Sequence, residues 1–273
     1  MDALELITNF LNRVCDIIFA IVPQKTPSNK NLRNCKIISH RGQHDNKNIL
    51  ENTLMAFDNA MNTNGIWGIE FDFRWTKDLH PVVIHDPNLR RIFGSKLRVS
   101  ETTLFELKKK FPQIPSLKEV IERYGGEIHL MVEAKEEYNV HPEKQDQILK
   151  DLFKPLQPIK DYHILSLSPK ILDFINFVED KSKIIVAVFN VKSLSNISLG
   201  KNYAGIGGHY LLLKNSVLRQ HLKFGQKIGI GFPKSKNSLF REINRGAEWI
   251  FCNNSKKLCL ILKNELEKNN RIP

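Results

Sequence analysis

Short apolar runs rich in β-branched residues alternate along most of the chain with segments whose apolar residues recur every three or four positions. The runs predict strands and the periodic segments predict helices. The pattern predicts eight strands, at residues 36–39, 67–73, 128–134, 163–167, 184–189, 204–209, 227–232 and 249–252. Helices are predicted at residues 53–62, 142–153, 169–178, 216–224 and 239–245, with one more after the last strand. Eight βα units in about 240 residues predict an α/β fold, the closed TIM (β/α)8 barrel.

One further predicted strand, residues 81–85, does not fit this repeat. Only residues 76–80 separate it from the second strand, whereas a parallel crossover needs about a dozen residues or more. It is therefore predicted to fold back as an extra antiparallel hairpin strand. This excursion would carry His85 toward the carboxyl ends of the barrel strands, where the active sites of such barrels lie.

The chain before the first barrel strand has a different pattern. Its apolar residues recur at helical steps through Leu4, Ile7, Leu11, Val14, Ile18 and Ile21. They predict an amphipathic helix that ends at Pro23, and the polar residues 24–34 predict a linker. The predicted domains are a helix and linker at 1–34 and a barrel at 35–273. The pattern leaves open whether the helix packs on the barrel, binds a membrane surface or mediates dimerisation.

We expect no export signal, because the first 22 residues carry Asp2, Glu5 and Asp16 against Arg13. The apolar run at residues 17–22 is far shorter than the roughly 20 residues that cross a bilayer. These observations predict a cytoplasmic protein, with peripheral membrane contact as an open alternative. The four cysteines show no CxxC spacing, so they are interpreted as reduced thiols rather than zinc ligands.

Composition and charge narrow the class of protein. With 41% hydrophobic and 26% charged residues, the chain of 273 residues is not disordered, collagen-like or disulfide-stapled. The net charge is +12, and residues 201–273 carry most of it, with 14 basic residues against 4 acidic ones. This asymmetry favours a surface that meets phosphates, lipid headgroups or nucleic acid, although a basic face that serves solubility explains it equally well. Few aromatic residues lie among these scattered basic residues, so nucleic-acid binding is not predicted.

Carboxylates interrupt two of the predicted barrel strands. In the second strand the charged face is opposite an apolar face that comprises Trp67, Ile69, Phe71 and Phe73. Glu70 and Asp72 share the charged face, and Glu133 holds the corresponding place in the third strand. Three carboxylates in one barrel mouth raise one another's pKa unless a cation neutralises them, and oxygen ligands suit Mg²⁺ or Ca²⁺. A structural salt-bridge cluster closed by Lys135, Arg74 and Arg41 is the alternative interpretation.

Two histidines stand where strands end. His40 and Arg41 end the first strand, and His85 ends the antiparallel excursion beside Asp86. Either histidine alone is more often structural than catalytic. Together with the carboxylates they suit cleavage of a phosphodiester, which needs a metal to polarise the phosphate, cations for its charge, and a base and an acid.

The same residues stand in motifs that follow one another through residues 36–135. The motifs are His40-Arg41-Gly42, Glu51-Asn52-Thr53, Ala56-Phe57, Glu70-x-Asp72, Thr76-Lys77-Asp78, Val82-Val83-Ile84-His85-Asp86, Leu89-x-Arg91, Ile114-Pro115-Ser116-Leu117 and Glu133-x-Lys135. In this order they resemble the signature of the glycerophosphodiester phosphodiesterase family. The resemblance implies a TIM barrel and metal-dependent hydrolysis of glycerophosphodiesters to an alcohol and glycerol 3-phosphate.

The resemblance also implies a role for each matching residue. The family's metal ligands match Glu70, Asp72 and Glu133, its catalytic histidines match His40 and His85, its phosphate-binding cations match Arg41 and Lys135, and Glu51 and Asn52 support the site. The implied mechanism is intramolecular: a glycerol hydroxyl attacks phosphorus, one histidine takes its proton, the other protonates the departing alcohol, and water opens the cyclic phosphate. Holding the nucleophile beside phosphorus contributes about 7 to 11 kcal/mol in well-oriented reactions.

The chain departs from the family pattern at several positions. Leu50 replaces the usual proline, and residues 42–50 form a slightly longer loop. Gly231-Phe232-Pro233-Lys234 replaces a Trp-Thr-x-Asn pattern in the seventh strand, and Cys252-Asn253 replaces Thr-Asp in the eighth. These losses spare the matched metal and histidine residues. They leave the substrate specificity open, because an aromatic wall on that side of the mouth would contact the glycerol or the leaving group.

Two alternatives to hydrolysis of a small glycerophosphodiester follow from these observations. The first is a lysophospholipase D that acts on lysophospholipids at a membrane surface. The amphipathic helix, the missing tryptophan and the basic C-terminal quarter favour it. The second is a non-catalytic barrel that binds phosphate or a membrane, against which the complete set of site residues argues.

Overall fold

Nine strands form a single sheet in the computed structural model, which describes residues 16–135 and 141–269. They are β1 (Lys36–His40), β2 (Ile66–Trp75), β3 (Pro81–Val83), β4 (His129–Ala134), β5 (Tyr162–Ser166), β6 (Lys183–Ala187), β7 (Gly205–His209), β8 (Lys227–Gly231) and β9 (Trp249–Cys252). Because β1 pairs in parallel with both β2 and β9, β1, β2 and β4 to β9 close into an eight-stranded barrel. β3 lies outside the ring and pairs antiparallel with β2, with Val83 opposite Phe73. The predicted TIM barrel and its extra antiparallel strand are confirmed.

Helices connect the strands and surround the barrel. They are α1 (Asn29–Asn34), α2 (Leu54–Met61), α3 (Arg90–Phe93), α4 (Leu104–Lys110), α5 (Leu117–Tyr124), α6 (Pro142–Phe153), α7 (Pro169–Phe174), α8 (Val191–Gly200), α9 (Asn215–Lys223), α10 (Lys236–Asn244) and α11 (Ser255–Asn269), with 3-10 turns at Val99–Glu101 and Asp180–Ser182. The predicted helices correspond to α2, α6, α7, α9, α10 and α11. The apolar pattern does not predict α4 or α5, which are short and begin at the capping boxes of Thr103 and Ser116.

The barrel has an inner and an outer apolar layer. The inner layer consists of Ile38, Met131, Leu165, Ile184, Trp249 and Phe251. The prediction that Trp67 shares the outer face of β2 is wrong, because Trp67 packs against this inner layer. On β1 and β2, Ile37 pairs with Ile66 and Ile38 with Gly68, so a bulge leaves Trp67 between the two pairs and breaks the alternation.

The segment before β1 packs on the barrel where it is described. Residues 16–21 are helical, while the predicted helical positions Leu4, Ile7, Leu11 and Val14 lie outside the described residues. The ring of Phe19 lies edge-on to Tyr210 at 5.5 Å. The predicted linker contains α1, because Ser28 caps a helix whose Leu32 is buried in the core. In the described ranges, no helix has the length and apolar character that crossing a membrane requires.

Candidate active site

Three carboxylates lie together inside the mouth of the barrel. Glu70 and Asp72 project from β2 into the interior, and Glu133 lies opposite Asp72 in the register of β4. Each is buried, and one oxygen of each lies within 4.8 Å of the others. The sequence prediction that these three residues converge at the carboxyl ends of the strands is therefore reproduced by the geometry.

The pKa values of the three carboxyl groups of this triad shift in opposite directions. Burial and the neighbouring charges of Asp72 and Glu133 raise the pKa of Glu70 well above its ordinary value. Burial also raises the pKa of Glu133, to about 7. Burial acts on Asp72 in the same direction, but the charges of Lys135 and Arg41 outweigh it and lower the pKa of Asp72 to about 2. Asp72 is thus the member that stays ionised, and Glu70 is the one that most lacks a cation.

Two cations face the triad. Arg41 Nε lies 3.2 Å and Lys135 Nζ lies 3.0 Å from Asp72, and Lys135 also pairs with Glu133. Glu70 Oε1 is buried and accepts no hydrogen bond from any residue in the described ranges. Among the described residues, the side chains of these two cations pair with Asp72 and Glu133 but not with Glu70, so the salt-bridge interpretation accounts for only part of the cluster. The triad fits a hard divalent cation, for which carboxylate oxygens are the preferred ligands.

The turn after β1 places Arg41 against the triad. The Arg41 amide donates to the Glu70 carbonyl at 2.8 Å and to its carboxylate at 3.1 Å. Arg41 and Gly42 both adopt left-handed backbone conformations, with φ of 57° and 78°. A Cβ on Gly42 would meet the backbone carbon of Ala56 at 2.8 Å. Glycine is required here because only a residue without a side chain combines this φ with so close an approach.

Gly42→Ala is expected to lower the free energy of unfolding by about 1 to 3 kcal/mol and to lower activity, because the turn must open and displace Arg41. Gly94→Ala is the matched control. Its φ is 66°, but no atom lies within 4 Å of the Cβ that alanine would add. Chemical denaturation of both variants separates the clash from the backbone preference. Equal losses of stability in the two variants would show that the approach to Ala56 is unimportant.

His40 is held between polar and aromatic neighbours. Its Nδ1 lies 2.7 Å from Asn253 Oδ1, and because an amide oxygen only accepts, Nδ1 carries the proton. Its Nε2 lies 3.7 Å from Glu70 Oε2, and the ring lies edge-on to Phe232 at 4.8 Å. Burial lowers the pKa of His40 to about 3, so the imidazole is neutral. Phe232 thus supplies an aromatic ring on the side of the mouth where the sequence lacks the family's tryptophan.

His85 belongs to a chain of ion pairs at the other side of the triad. Its Nδ1 lies 2.6 Å from Asp86 Oδ1, and Asp86 accepts from Arg91 Nε at 2.6 Å. Arg91 also donates two hydrogen bonds to Glu51, which pairs with Arg41 at 2.7 Å. Burial lowers the pKa of His85, and the charge of Asp72 and the hydrogen bond to Asp86 oppose that shift without reversing it.

The two residues predicted to support the site lie beside it rather than in the triad. Glu51 connects Arg41 to Arg91, and Asn52 donates to Asp72 Oδ2 at 3.0 Å. Sequence reasoning did not assign roles to Asn253, Arg91 or Asp86. Arg91 and Asp86 stand in the matched motifs, but their partners lie on other segments, so no local pattern identifies the contacts. Arg74, the third cation of the salt-bridge alternative, donates to the carbonyl of His85 at 2.7 Å.

Comparisons of the sequence with known proteins agree with this geometry. The model of the Glycerophosphoryl diester phosphodiesterase family matches residues 40–243. A glycerophosphodiester phosphodiesterase of Caldanaerobacter subterraneus is 34% identical over 183 residues, which are 63% of this chain and 65% of the relative. Lysophospholipase D GDPD1 of Mus musculus is 35% identical over 130 residues, 41% of this chain and 40% of the relative. The chain thus matches less than two thirds of the length of these curated relatives.

Solved structures share the fold. A glycerophosphodiester phosphodiesterase from Thermotoga maritima superposes with a TM-score of 0.68 at 24% identity, covering 83% of this chain and 98% of the other. A phosphodiesterase from Oleispira antarctica, solved in complex with the product sn-glycerol-3-phosphate, has a TM-score of 0.71 at 20% identity, covering 84% and 96%. At these identities the two likenesses establish the barrel fold alone.

Proposed function

The chain belongs to the glycerophosphoryl diester phosphodiesterase family, and from this premise we propose that it is a metal-dependent phosphodiesterase that hydrolyses glycerophosphodiesters to an alcohol and glycerol 3-phosphate. The observation that carries the proposal is the buried triad of Glu70, Asp72 and Glu133 with an imidazole on either side. A phosphodiester in this mouth would meet carboxylates for a cation, basic groups for its own charge, and two groups for proton transfer.

Each histidine is proposed to transfer one proton. The residue that is hydrogen-bonded to its Nδ1 suggests which of the two proton transfers it performs. Asn253 accepts from Nδ1 of His40, so Nε2 of this neutral ring has a lone pair that can take a proton from the attacking hydroxyl. Asp86 is a carboxylate partner, which opposes the lowering of the His85 pKa by burial and can stabilise a proton on this ring for transfer to the departing alcohol. We therefore propose His40 as the base and His85 as the acid.

The cations of the mouth are proposed to bind the phosphate. Arg41 and Lys135 both contact Asp72 of the triad. Each has more N–H groups than its carboxylate partners use, so hydrogen-bond donors remain for a phosphate. We propose that Glu70, Asp72 and Glu133 hold Mg²⁺ or Ca²⁺. When bound, this ion would supply charge for the phosphate and polarise it toward attack. Glu51 and Asn52 are proposed to hold Arg41 and Asp72 in place through the contacts described above.

A lysophospholipid is the second candidate substrate, because curated relatives from mouse, rat and human are named lysophospholipase D. Choline release from glycerophosphocholine and from lysophosphatidylcholine, with Mg²⁺ and with Ca²⁺, tests both candidates. We expect turnover of glycerophosphocholine. Comparable turnover of lysophosphatidylcholine would establish the second candidate, and its absence would eliminate it. If neither diester is hydrolysed with either ion, the proposed activity is wrong and a non-catalytic phosphate-binding barrel becomes the better interpretation.

We also propose that the protein is cytoplasmic. Cys35, Cys252 and Cys259 are free thiols, and burial raises the pKa of each. Free protonated thiols fit a reducing compartment.

A further inference from the structure

Five consecutive βα segments, of the eight that follow barrel strands, form one side of the rim of the barrel mouth. They are residues 167–170, 188–192, 210–214, 232–236 and 253–257, which follow β5 to β9 and are called the basic rim here. The segments contain seven lysines and no acidic residue: Lys170, Lys192, Lys214, Lys234, Lys236, Lys256 and Lys257. All seven are exposed. Because the carboxyl ends of parallel barrel strands meet at one edge, lysines that are scattered in the sequence are neighbours on this rim.

The position of these lysines is unfavourable for the helices that they precede or begin. The amino end of a helix carries partial positive charge and is stabilised by acidic residues. None of α7 to α11 has an acidic residue in its first turn. Lys170, Lys192, Lys214 and Lys256 form no ion pair with any described residue. Lys234 and Lys236 pair with Asp16 and Glu265, and Lys257 donates to the carbonyl of Lys234. The charges of the other four lysines have no ion-pair partner among the described residues, which favours a role in binding.

The opposite end of the barrel does not have this one-sided charge. The segments that lead into β5, β6 and β9 carry Asp161, Glu179, Asp180 and Glu248 among their basic residues. Lys36 and Lys227 both pair there with Glu248. Lysines that served only solubility would not need to be concentrated at the mouth of the barrel.

Exposed apolar side chains lie between the lysines of the basic rim. Phe189 follows β6 and is 80% exposed. Leu167, Leu211 and Leu212 are also exposed on the neighbouring segments. Beside them, Asp16 bonds to Tyr210 and Lys234, and the helical residues 16–21 present Ile21 to solvent with 71% of its surface exposed. Apolar residues interleaved with lysines fit the interface of an anionic bilayer, where both kinds of side chain find partners.

The basic rim adjoins the candidate active site. Phe232, which contacts the ring of His40, lies 6.4 Å from the ring of His209. His209 in turn stacks on Tyr210 at 4.3 Å. A surface that covered the rim would therefore lie directly over the side of the mouth that holds His40.

We propose that the basic rim docks on the surface of an anionic phospholipid bilayer. Phe189, Leu167 and Leu211 enter the headgroup region, and the lysines contact lipid phosphates. Docked in this way, the mouth faces glycerophosphodiesters that are carried by lipids, a consequence that rests on the proposed function. An acidic protein would satisfy the lysines but would not explain why large apolar residues stand exposed between them.

Binding to vesicles tests the docking without any catalytic measurement. The vesicles contain equal parts of phosphatidylcholine and phosphatidylglycerol, and pure phosphatidylcholine is the comparison. Lys170→Gln, Lys192→Gln and Lys214→Gln are combined in one chain. The matched control combines Lys154→Gln, Lys160→Gln and Lys223→Gln, which are exposed lysines near the opposite end of the barrel and change the net charge equally. Phe189→Ser tests the contribution of the exposed apolar side chains to vesicle binding.

The full chain is expected to sediment with the anionic vesicles and much less with the neutral ones. The rim variant is expected to bind about 100-fold more weakly, because each lysine near an anionic surface contributes independently. The control variant should change binding less than about threefold, and Phe189→Ser should weaken it without altering its salt dependence. Equal losses in the two triple variants, or no binding by the full chain, would overturn the docking.

Activity on glycerophosphocholine keeps the two proposals apart. In the described part of the chain, the substituted lysines form no hydrogen bond or ion pair with a site residue, so all variants should hydrolyse this small diester at the rate of the full chain. Hydrolysis without vesicle binding would reject the docking and retain the proposed function. Vesicle binding without hydrolysis of any diester would retain the docking and reject the proposed function.

Discussion

Alanine in place of His40 or His85 is expected to lower kcat on glycerophosphocholine by about 100- to 10,000-fold, because each loss removes one proton transfer from the reaction. Both rings lie on the rim of a buried charged cluster rather than in the apolar core, so the fold should persist. The measurement is the rate of choline release at saturating substrate, with circular dichroism and thermal melting to establish folding.

His80→Ala is the matched control for both histidine variants. His80 lies on the same excursion as His85, but its side chain is 55% exposed and only approaches Asp78, at 3.8 Å. It should leave kcat within about twofold of the full chain, as surface substitutions usually do. Near-normal kcat in both His40→Ala and His85→Ala would contradict the assignment of the histidines. If His80→Ala lowered kcat as much as His40→Ala and His85→Ala, the structure of the excursion rather than the imidazole groups would be what the activity requires.

Removal of divalent cations by a chelator is expected to lower turnover by about 100-fold or more, and addition of Mg²⁺ or Ca²⁺ should restore it. Glu70→Gln should cause a similar loss that added cation does not restore. The reason is that Glu70 has the one carboxylate oxygen of the triad that lies buried without a partner in either an ion pair or a hydrogen bond, as far as the described residues extend. Choline release across a series of cation concentrations is the measurement.

Thermal melting distinguishes a lost ion from a damaged fold. The cation should raise the Tm of the full chain by about 5 to 10 °C at 100 times its Kd, but should not raise that of Glu70→Gln. In chelator, Glu70→Gln should melt no lower than the full chain. Burial raises the pKa of Glu70, so at neutral pH the full chain loses stability either by burying the charge or by binding a proton, and the uncharged amide removes that cost. Glu122→Gln, at a glutamate exposed on α5 and paired with Lys118, should behave as the full chain. A cation-dependent Tm in Glu70→Gln equal to that of the full chain would contradict the triad as the cation site.

The charged groups of the site are buried and paired before a substrate binds, and the expected effects of the histidine and Glu70 variants both depend on this. Arg41 and Lys135 already face Asp72, and Asp86 already faces His85. Such preorganised charges need not reorient during the reaction, which is the main source of electrostatic stabilisation in enzymes. The strained turn at Arg41 and Gly42 is the local cost of this arrangement.

The sequence predicted the barrel and most of the triad because both depend on local periodicity. Residues two apart in a strand share a face whatever the rest of the chain does, so Glu70 and Asp72 had to project together. The connection of five residues between β2 and β3, at 76–80, is also a local feature of the sequence. It is too short for a parallel crossover, so it identified β3 as antiparallel. The bulge that turns Trp67 inward is also local in extent, but it arises from pairing with β1, which the pattern of β2 does not contain.

Contacts between distant segments required the tertiary structure. Asn253 meets His40 across 213 residues of sequence, and Arg91 meets Glu51 across 40. Neither contact leaves a periodic signal, because the closing of the ring and the path of the loops decide which side chains meet.

The basic C-terminal quarter shows the same division between sequence and structure. The sequence by itself determined the excess of lysines, and it left their partner undecided. Only the barrel topology brings Lys214, Lys234 and Lys256 of this quarter to one edge beside the mouth, next to Lys170 and Lys192 from earlier in the chain. The physical reason is that strand and helix patterns depend on neighbouring residues, whereas the grouping of loops depends on the parallel order of the closed sheet.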